Sequence, residues 1–396
     1  MAVYRPVKKS SGNAKEPFVV MVKPVGSRCN MRCSYCYYLS RGQYSTHEVQ
    51  TVMSDAMLER LIRDTINASP GPVVSFVWHG GEPTLAGLDF YRKAVKLQNR
   101  YLPRGFRVWN NLQTNGLLLN DEWARFLADN HFDVGLSIDG TELVHDENRR
   151  DVLGKGTFER VRKAADCLKK AGIRPDLLCT VNSATVQRPD EVYETLCSLD
   201  TGWVQFIPIV VRDGNALSPL SVTAESYGAF LIRMFDLWIT HDLGKTDIQL
   251  FAEMAKIMAG AKPSLCMMSE TCGRALVAEE DGSIYACDHF VDPAHRIGNF
   301  MESPIGSMVT LPVQHDFGRS KKNGLTAQCK ACPYLKFCGG GCLKDRFGVA
   351  GDGESGQYVL CNGLRAFFSH AEPILKEVMA LSRQGLSSEE IMRRFG

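Results

Sequence analysis

The 396-residue sequence has no dominant charge: Lys plus Arg number 46 against 44 Asp plus Glu, a formal net charge of +2. Without a basic excess, no long-range field draws in nucleic acid or an anionic membrane, so a small molecule or a protein is the expected partner. Apolar runs long enough to span a bilayer are absent too. The opening stretch, "MAVYRPVKKSSGNAKEPF", is basic and polar with no apolar signal core. The expectation is therefore a cytoplasmic chain with a disordered basic tail over residues 1–17. No repeat of solenoid period occurs, and the length suits two or three domains.

Cysteine, in contrast, is abundant, with 14 in the chain. In a cytosolic protein these are not expected to pair as disulfides, because the compartment keeps thiols reduced. Metal binding is the leading explanation. Three stand alone: Cys167 in an amphipathic helical pattern, Cys179 in an apolar strand pattern and Cys197 in "EVYETLCSL". There cysteine behaves as a small hydrophobe. The other cysteines cluster.

From residue 18 to about 212 short apolar runs alternate with amphipathic stretches, the rhythm of repeated βα units. Expected strands are "FVVMV", "VVSFVW", "RVWNNLQ", "DVGLSI", "PDLLCTV" and "WVQFIPIVV". Between them "SDAMLERLIRDTI", "DEWARFLADN" and "TFERVRKAADCLKKAG" read as helices, the last stopped by Gly172. Six such units predict an α/β fold, a partial (β/α)6 TIM-like barrel over residues 18–222, whose active residues gather at the C-terminal strand ends. Polar punctuation stands at those ends: "HGGEP", "QTNG" and "SIDG". A helical linker is expected over 223–262, then a second, Cys-rich domain over 263–365 that ligation rather than a large core organises. Residues 366–396 read as C-terminal helices, with a kink at Pro373 and a Ser-plus-Glu cap in "LSSEEIMRRF".

The first cysteine set, Cys29, Cys33 and Cys36, follows the first strand in "RCNMRCSYCYY". A closed zinc site needs four ligands, so zinc here would have to borrow a distant His or Cys. A four-iron, four-sulfur cluster held by three cysteines leaves one iron open to an outside ligand, and that makes a catalytic site of an electron-carrying centre. The remaining eight cysteines are Cys266, Cys272 and Cys287, then Cys329, Cys332, Cys338, Cys342 and Cys361. Eight is two complete four-cysteine sites, yet they fall as three plus five. One of the five must cross back, and spacing does not say which. Two structural zincs are the alternative to two clusters.

The spacing of the first set, with the aromatic Tyr35 before its last cysteine, resembles the radical S-adenosylmethionine superfamily. That resemblance implies a cluster whose open iron takes the amino and carboxylate groups of S-adenosylmethionine. One-electron cleavage then yields a 5′-deoxyadenosyl radical that abstracts hydrogen, while the protein orients the reactants and excludes water. Gly80, Gly81 and Glu82 match the family's GGEP motif beside the methionine amino group. Ser137 and Arg149 match contacts to ribose and carboxylate, and Val210 a contact to adenine. On residues alone these are a strand-end turn, a cap, a solvated charge and plain core. The second domain resembles the SPASM domain. By that resemblance Cys342 joins Cys266, Cys272 and Cys287 on one auxiliary [4Fe-4S] cluster, and Cys329, Cys332, Cys338 and Cys361 hold another, three clusters in all.

The fuller resemblance, carried by "CNMRCSYCYY", "GGEPTLAG", "LQTNG", "LSIDG", "EEDGSIYACDHF", "IGNF" and "CGGGCLKDRF", is to the anaerobic sulfatase-maturating enzymes. It implies oxidation of a Cys or Ser side chain in a sulfatase to Cα-formylglycine, with an electron donor such as flavodoxin or ferredoxin. Asp288 falls on the family's catalytic aspartate. A carboxylate there can take the proton lost with the Cβ hydrogen, and the adjacent Cys287 puts an electron acceptor close by. Tyr38 falls where relatives place a tyrosine near substrate. His79 departs from the Gln frequent before the GGEP glycines, and Leu343 from the Pro frequent after the crossing cysteine. The alternative reading is a radical maturase that cross-links or oxidises a ribosomally made peptide.

Overall fold

The structure, a computed structural model, describes residues 14–39, 52–214 and 216–396. Most of the tail expected to be disordered, residues 1–13, lies outside the described residues.

The βα rhythm of the sequence folds as read. Strands β1 (Val19–Val22), β2 (Val73–Trp78), β3 (Arg107–Thr114), β4 (Asp133–Ser137), β5 (Asp176–Val181) and β6 (Trp203–Pro208) pair in sequence order, every pair parallel. Helices α1 (Asp55–Ala68), α2 (Leu88–Tyr101), α3 (Asp121–Asp129), α4 (Glu142–Asn148), α5 (Phe158–Lys170) and α6 (Pro189–Ser198) occupy the crossovers. Parallel strands need such crossovers, and strands covered on both faces read as apolar runs. Local chemistry sets the helix ends: the Ser54, Asn120 and Thr141 side chains accept from the backbone of the first turns of α1, α3 and α4. Gly172, at φ +84°, follows α5 in the left-handed region that glycine alone enters cheaply.

A short ribbon, β7 (Arg212–Asp213) with β8 (Ala216–Leu217), precedes α7 (Ala224–His241), β9 (Asp247–Ile248) and α8 (Gln249–Met258). The Cys-rich region then adds what the sequence reading did not anticipate. Its strands β10 (Ala275–Ala278), β11 (Ser283–Tyr285) and β12 (Arg296–Asn299) extend the main sheet, with β10 parallel to β1. The ten-stranded order is β12-β11-β10-β1-β2-β3-β4-β5-β6-β9. This extension brings the segment after β11, which carries Cys287 and Asp288, round to the loop after β1.

Two larger apolar cores among the described residues support the sheet. Val20, Phe76 and Trp78 pack with Leu58, Tyr91 and Phe300 under its first half. Leu177 and Val204 pack with Phe235 of α7 and Phe367 of the long helix Cys361–Arg383 under the second. That long helix crosses α7 at their glycines, where a Cβ on Gly363 would stand 1.8 Å from the Ala224 carbonyl oxygen. It runs on through Pro373, and the terminal Ser388–Phe395 helix carries the expected Ser387–Glu390 capping box.

Candidate active site

The three-cysteine loop is clamped from two sides. Arg32 N–H donates to the Arg150 carbonyl at 2.8 Å and Ser34 N–H to that of Asn148 at 3.0 Å. From the other side comes the β2 end: Gly81 N–H donates to Gly26 O at 2.9 Å, and Glu82 N–H to Arg28 O at 2.8 Å. The approach admits no side chain, since a Cβ on Gly81 would sit 2.0 Å from the Arg28 carbonyl oxygen. Here the glycines of "HGGEP" are required by packing against the cysteine loop, beyond the needs of a turn.

Glu82 is buried, and protein donors take both its oxygens. One accepts from Thr84 N–H at 3.0 Å, Thr84 Oγ1 at 2.5 Å and Thr114 Oγ1 at 2.7 Å; the other accepts from Asn115 N–H at 2.8 Å. Burial pushes its pKa up and these donors oppose the shift. Glu82 therefore joins "HGGEP" to "QTNG". Asn115 carries the link on, its amide donating to Asn30 Oδ1 at 2.8 Å and toward Cys29 Sγ at 3.7 Å. The Cys29 thiol is pushed up to about 12 by burial, opposed by a Met31 N–H, with negative charge at Glu82, Cys33 and Cys36 adding to the rise. Thiols that raise one another's proton affinity in this way suit a bound cation, which would hold them as thiolates.

Tyr35 is placed in a buried relay. Its hydroxyl donates to Asp139, and Arg149 Nη1 donates to that hydroxyl at 3.1 Å. Arg149 is 6% exposed, and its Nε has no hydrogen-bond partner among the described residues. A buried guanidinium that lies beside Tyr35, acts on Cys33 and keeps one donor open fits an anionic guest such as a carboxylate. Ser137 lies at the β4 end, its Oγ accepting from Gln113 Nε2 at 3.0 Å. Val210, just beyond β6, is buried. His145 braces the relay: its Nδ1 accepts from Asp139 N–H at 3.2 Å, and its Nε2 lies 3.0 Å from Thr157 Oγ1.

Asp288 stands across from the cysteine loop. Its Oδ1 is 2.5 Å from the ammonium of Lys23, and its Oδ2 accepts from the Tyr37 hydroxyl. The Tyr37 ring reaches solvent while its hydroxyl turns inward. Burial would raise the Asp288 carboxyl; the adjacent Lys23 ammonium overcomes that and holds it well below the usual carboxylate range. Lys23 is fully buried. It also lies 3.0 Å from His79 Nδ1 and 4.3 Å from the centre of the Tyr38 ring, whose hydroxyl donates to Glu279.

The remaining cysteines separate into two groups. Cys266 acts electrostatically on Cys272, Cys287 and Cys342, and Cys342 acts on Cys287. Cys329, Cys332, Cys338 and Cys361 line one partly open pocket together with Tyr334, Gln357 and Phe368. Cys342, one of the later five, thus interacts with Cys266 and Cys287 of the earlier three. No three His, Cys, Asp or Glu among the described residues converge on a single ion. Lys321 braces the first group, its ammonium donating to the carbonyls of Cys266 at 2.7 Å and Met267 at 2.8 Å. Cys179 is buried in β5, and Cys167 and Cys197 are half-buried on α5 and α6.

Lys23, Asp139, His145, Glu279 and Lys321 were not singled out from the sequence. Lys23 carried a signal, being a lone charge at the end of the apolar strand "FVVMV", directly before the cysteine loop.

Residues 24–196 match the radical SAM superfamily, and residues 266–333 match the SPASM iron-sulfur cluster-binding domain. The chain is 40% identical to a serine-type anaerobic sulfatase-maturating enzyme of Bacteroides thetaiotaomicron, covering 92% of each chain. It is 34% identical to a cysteine-type anaerobic sulfatase-maturating enzyme of Clostridium perfringens, over 91% of this chain and 98% of that one. Among solved structures, native anSMEcpe with bound AdoMet and Cp18Cys peptide superposes with a TM-score of 0.83 at 32% identity, covering 92% of this chain and 99% of that chain. These likenesses run through both the sheet and the Cys-rich region, and the chain belongs to the anaerobic sulfatase-maturating enzymes, radical SAM oxidoreductases with a SPASM domain.

Proposed function

We propose that this enzyme oxidises the Cβ of a Cys or Ser side chain in an extended sulfatase segment to the aldehyde of Cα-formylglycine, with Asp288 as the proton acceptor. One observation carries the reading: a buried, ionised carboxylate directly after Cys287, held by Lys23 from β1's end and by Tyr37 from the three-cysteine loop. In this reading Asp288 serves as a base between the loop cysteines and Cys287.

In this reading Cys29, Cys33 and Cys36 hold a [4Fe-4S] cluster with an open iron. Tyr35, Gly80, Gly81, Ser137, Arg149 and Val210 shape the S-adenosylmethionine site, with the open Nε of Arg149 available to its carboxylate. Glu82 acts one step back, fixing the loops that carry Gly81 and Asn115. Cys266, Cys272, Cys287 and Cys342 hold one auxiliary [4Fe-4S] cluster, and Cys329, Cys332, Cys338 and Cys361 the other. When bound, these groups supply the acceptors for a hydrogen atom and an electron.

Turning a CH2OH group into an aldehyde removes one hydrogen atom from Cβ, one hydroxyl proton and one electron. Asp288 takes the proton. A carboxylate held this firmly ionised is a weak base, but loss of the Cβ hydrogen makes the neighbouring hydroxyl or thiol far more acidic than in the parent side chain. For a Cys substrate the thioaldehyde then exchanges with water, releasing sulfide. A flavodoxin- or ferredoxin-type protein is the electron donor in this proposal, and the setting is cytoplasmic. No helix among the described residues is long and apolar enough to cross a membrane.

The test is anaerobic incubation with a reductant, S-adenosylmethionine and Cys-x-Pro-x-Arg or Ser-x-Pro-x-Arg peptides. A hydrazide-reactive aldehyde with the corresponding mass change is expected. Formation of 5′-deoxyadenosine without aldehyde from either peptide overturns the reading and favours another peptide modification.

A further inference from the structure

His79 lies at the end of β2, one residue before the glycines that pack on the cysteine loop. Its Nδ1 is 2.7 Å from the Gly80 N–H and 3.0 Å from the Lys23 ammonium. Both neighbours are donors, and an ammonium has no acceptor capacity. The lone pair must therefore sit on Nδ1 and the proton on Nε2. Burial, with Lys23 beside it, pushes the ring down to about 4, so it stays neutral in this tautomer. Nε2–H has no protein acceptor among the described residues. The same ammonium that pins Nδ1 stands 2.5 Å from Asp288 Oδ1, so one cation sets the positions of a base and of a donor.

We propose that His79 Nε2–H reads the oxygen of a Ser substrate, donating to the hydroxyl whose proton Asp288 accepts. This deepens the function proposed above and rests on it. A hydroxyl can donate and accept at once, which matches a carboxylate on one side and an N–H on the other. Sulfur is a weak acceptor and S–H a weak donor, so a thiol gains little from the same pair. An amide at this position could turn either its N–H or its carbonyl toward the substrate. The imidazole, with Nδ1 held twice, can only donate. His79 thereby shifts specificity toward Ser.

The experiment compares Ser and Cys forms of one peptide in the anaerobic holoenzyme, for the wild type, His79→Phe and His79→Gln. Removing one well-placed donor is expected to lower kcat/KM for the Ser peptide about tenfold while leaving the Cys peptide within about twofold. His79→Gln, which keeps an N–H, should restore most of the Ser activity. Binding gives a readout independent of turnover: His79→Phe should weaken the Ser peptide and leave an Ala-substituted peptide unchanged. An equal loss for Ser and Cys peptides in both variants overturns the assignment, as does equal weakening of Ser and Ala peptides. Aldehyde from neither peptide in the wild type sinks the underlying function instead, whereas aldehyde from both with an unshifted ratio sinks only the role of His79.

Discussion

The ammonium of Lys23 stands 2.5 Å from the carboxylate of Asp288, one at the end of β1 and the other in the turn after β11. Lys23 has no exposed surface and Asp288 only a rim, its side chain 12% exposed. The pair exists because β10 adds to the edge of β1 in parallel, with Val22 opposite Ala278. That pairing brings the turn after β11 to the loop after β1, so the proposed base is fixed by the sheet and a buried cation.

Lys23→Met keeps the length of the side chain and deletes its charge, which leaves Asp288 ionised in a buried place or forces it to protonate. Breaking one side of a buried pair costs about 3–5 kcal/mol. The holoenzyme should therefore lose stability of that order in thermal or denaturant unfolding. Asp288→Asn on the Lys23→Met background should cost much less than the two single losses summed, because the stranded charge is gone.

Much of this was legible beforehand, and its limits are physical. The β2 run "VVSFVW" and the β5 run "PDLLCTV" are short, apolar and followed by turn signals, and their strands appear within a residue of where those runs lie. The first cysteine set and the Gly80–Gly81 pair were also readable, since their spacing is local. The four-residue β10, "ALVA", carries no period, and its pairing with β1 spans most of the chain. Without that pairing, neither the meeting of Lys23 with Asp288 nor that of Tyr38 with Glu279 can be foreseen. Cys342 shows the same limit: the count calls for a crossing cysteine, spacing does not single one out, and the interaction of Cys342 with Cys266 and Cys287 arises only in the fold.

Glu279 makes stability depend on pH in a defined direction. Burial, opposed by the Tyr38 hydroxyl and Lys23, raises its pKa from 4.5 to about 8. A folded-state pKa above the unfolded value means stability fully present below about 4.5 and lost progressively as pH rises through about 8. Glu279→Gln keeps an acceptor for Tyr38 and cannot ionise. Its stability should be flatter across that window, overtaking the wild type at the alkaline end by an amount on the order of a few kcal/mol. Parallel denaturant titrations at several pH values check this, and identical slopes for both proteins would refute it.

Gly81→Ala tests the clamp on the cysteine loop. The added Cβ would lie 2.0 Å from a backbone oxygen, which cannot swing aside as a side chain would. The loop from Arg28 onward must shift, carrying Cys29 with it. Reconstituted protein should lose roughly one cluster's worth of iron, about four atoms of the roughly twelve expected for three cubanes. Glu82→Ala should do the same indirectly, since it strands four donors at a buried point, each worth about 1–3 kcal/mol.

The grouping of the later cysteines gives a separate test. Cys342→Ala should disturb the same spectroscopic centre as Cys272→Ala, and Cys361→Ala the same centre as Cys332→Ala. Mössbauer or EPR spectra of the reduced holoenzyme would show two classes of variant. If Cys342→Ala fell with Cys361→Ala, the cavity lined by Cys329, Cys332, Cys338 and Cys361 would not be a complete four-cysteine site.

Asp288→Asn separates proton acceptance from everything upstream of it. The amide keeps the size of the side chain and can still accept from Tyr37, but it cannot take a substrate proton. In the proposed scheme cleavage of S-adenosylmethionine depends on Cys29, Cys33 and Cys36 and on the Arg149 relay, and the amide keeps the one contact that Asp288 makes with the cysteine loop, through Tyr37. The variant should form 5′-deoxyadenosine at close to the wild-type rate, with aldehyde reduced about 100-fold or more, the usual range for a general base. Cys29→Ala should abolish both products, because it removes a proposed ligand of the centre that starts the reaction. Chromatographic quantification of deoxyadenosine beside mass spectrometry of the peptide reads the two steps independently. Aldehyde retained by Asp288→Asn would transfer the proton to another group, with Glu279, reached through Tyr38, the next carboxylate along the same network.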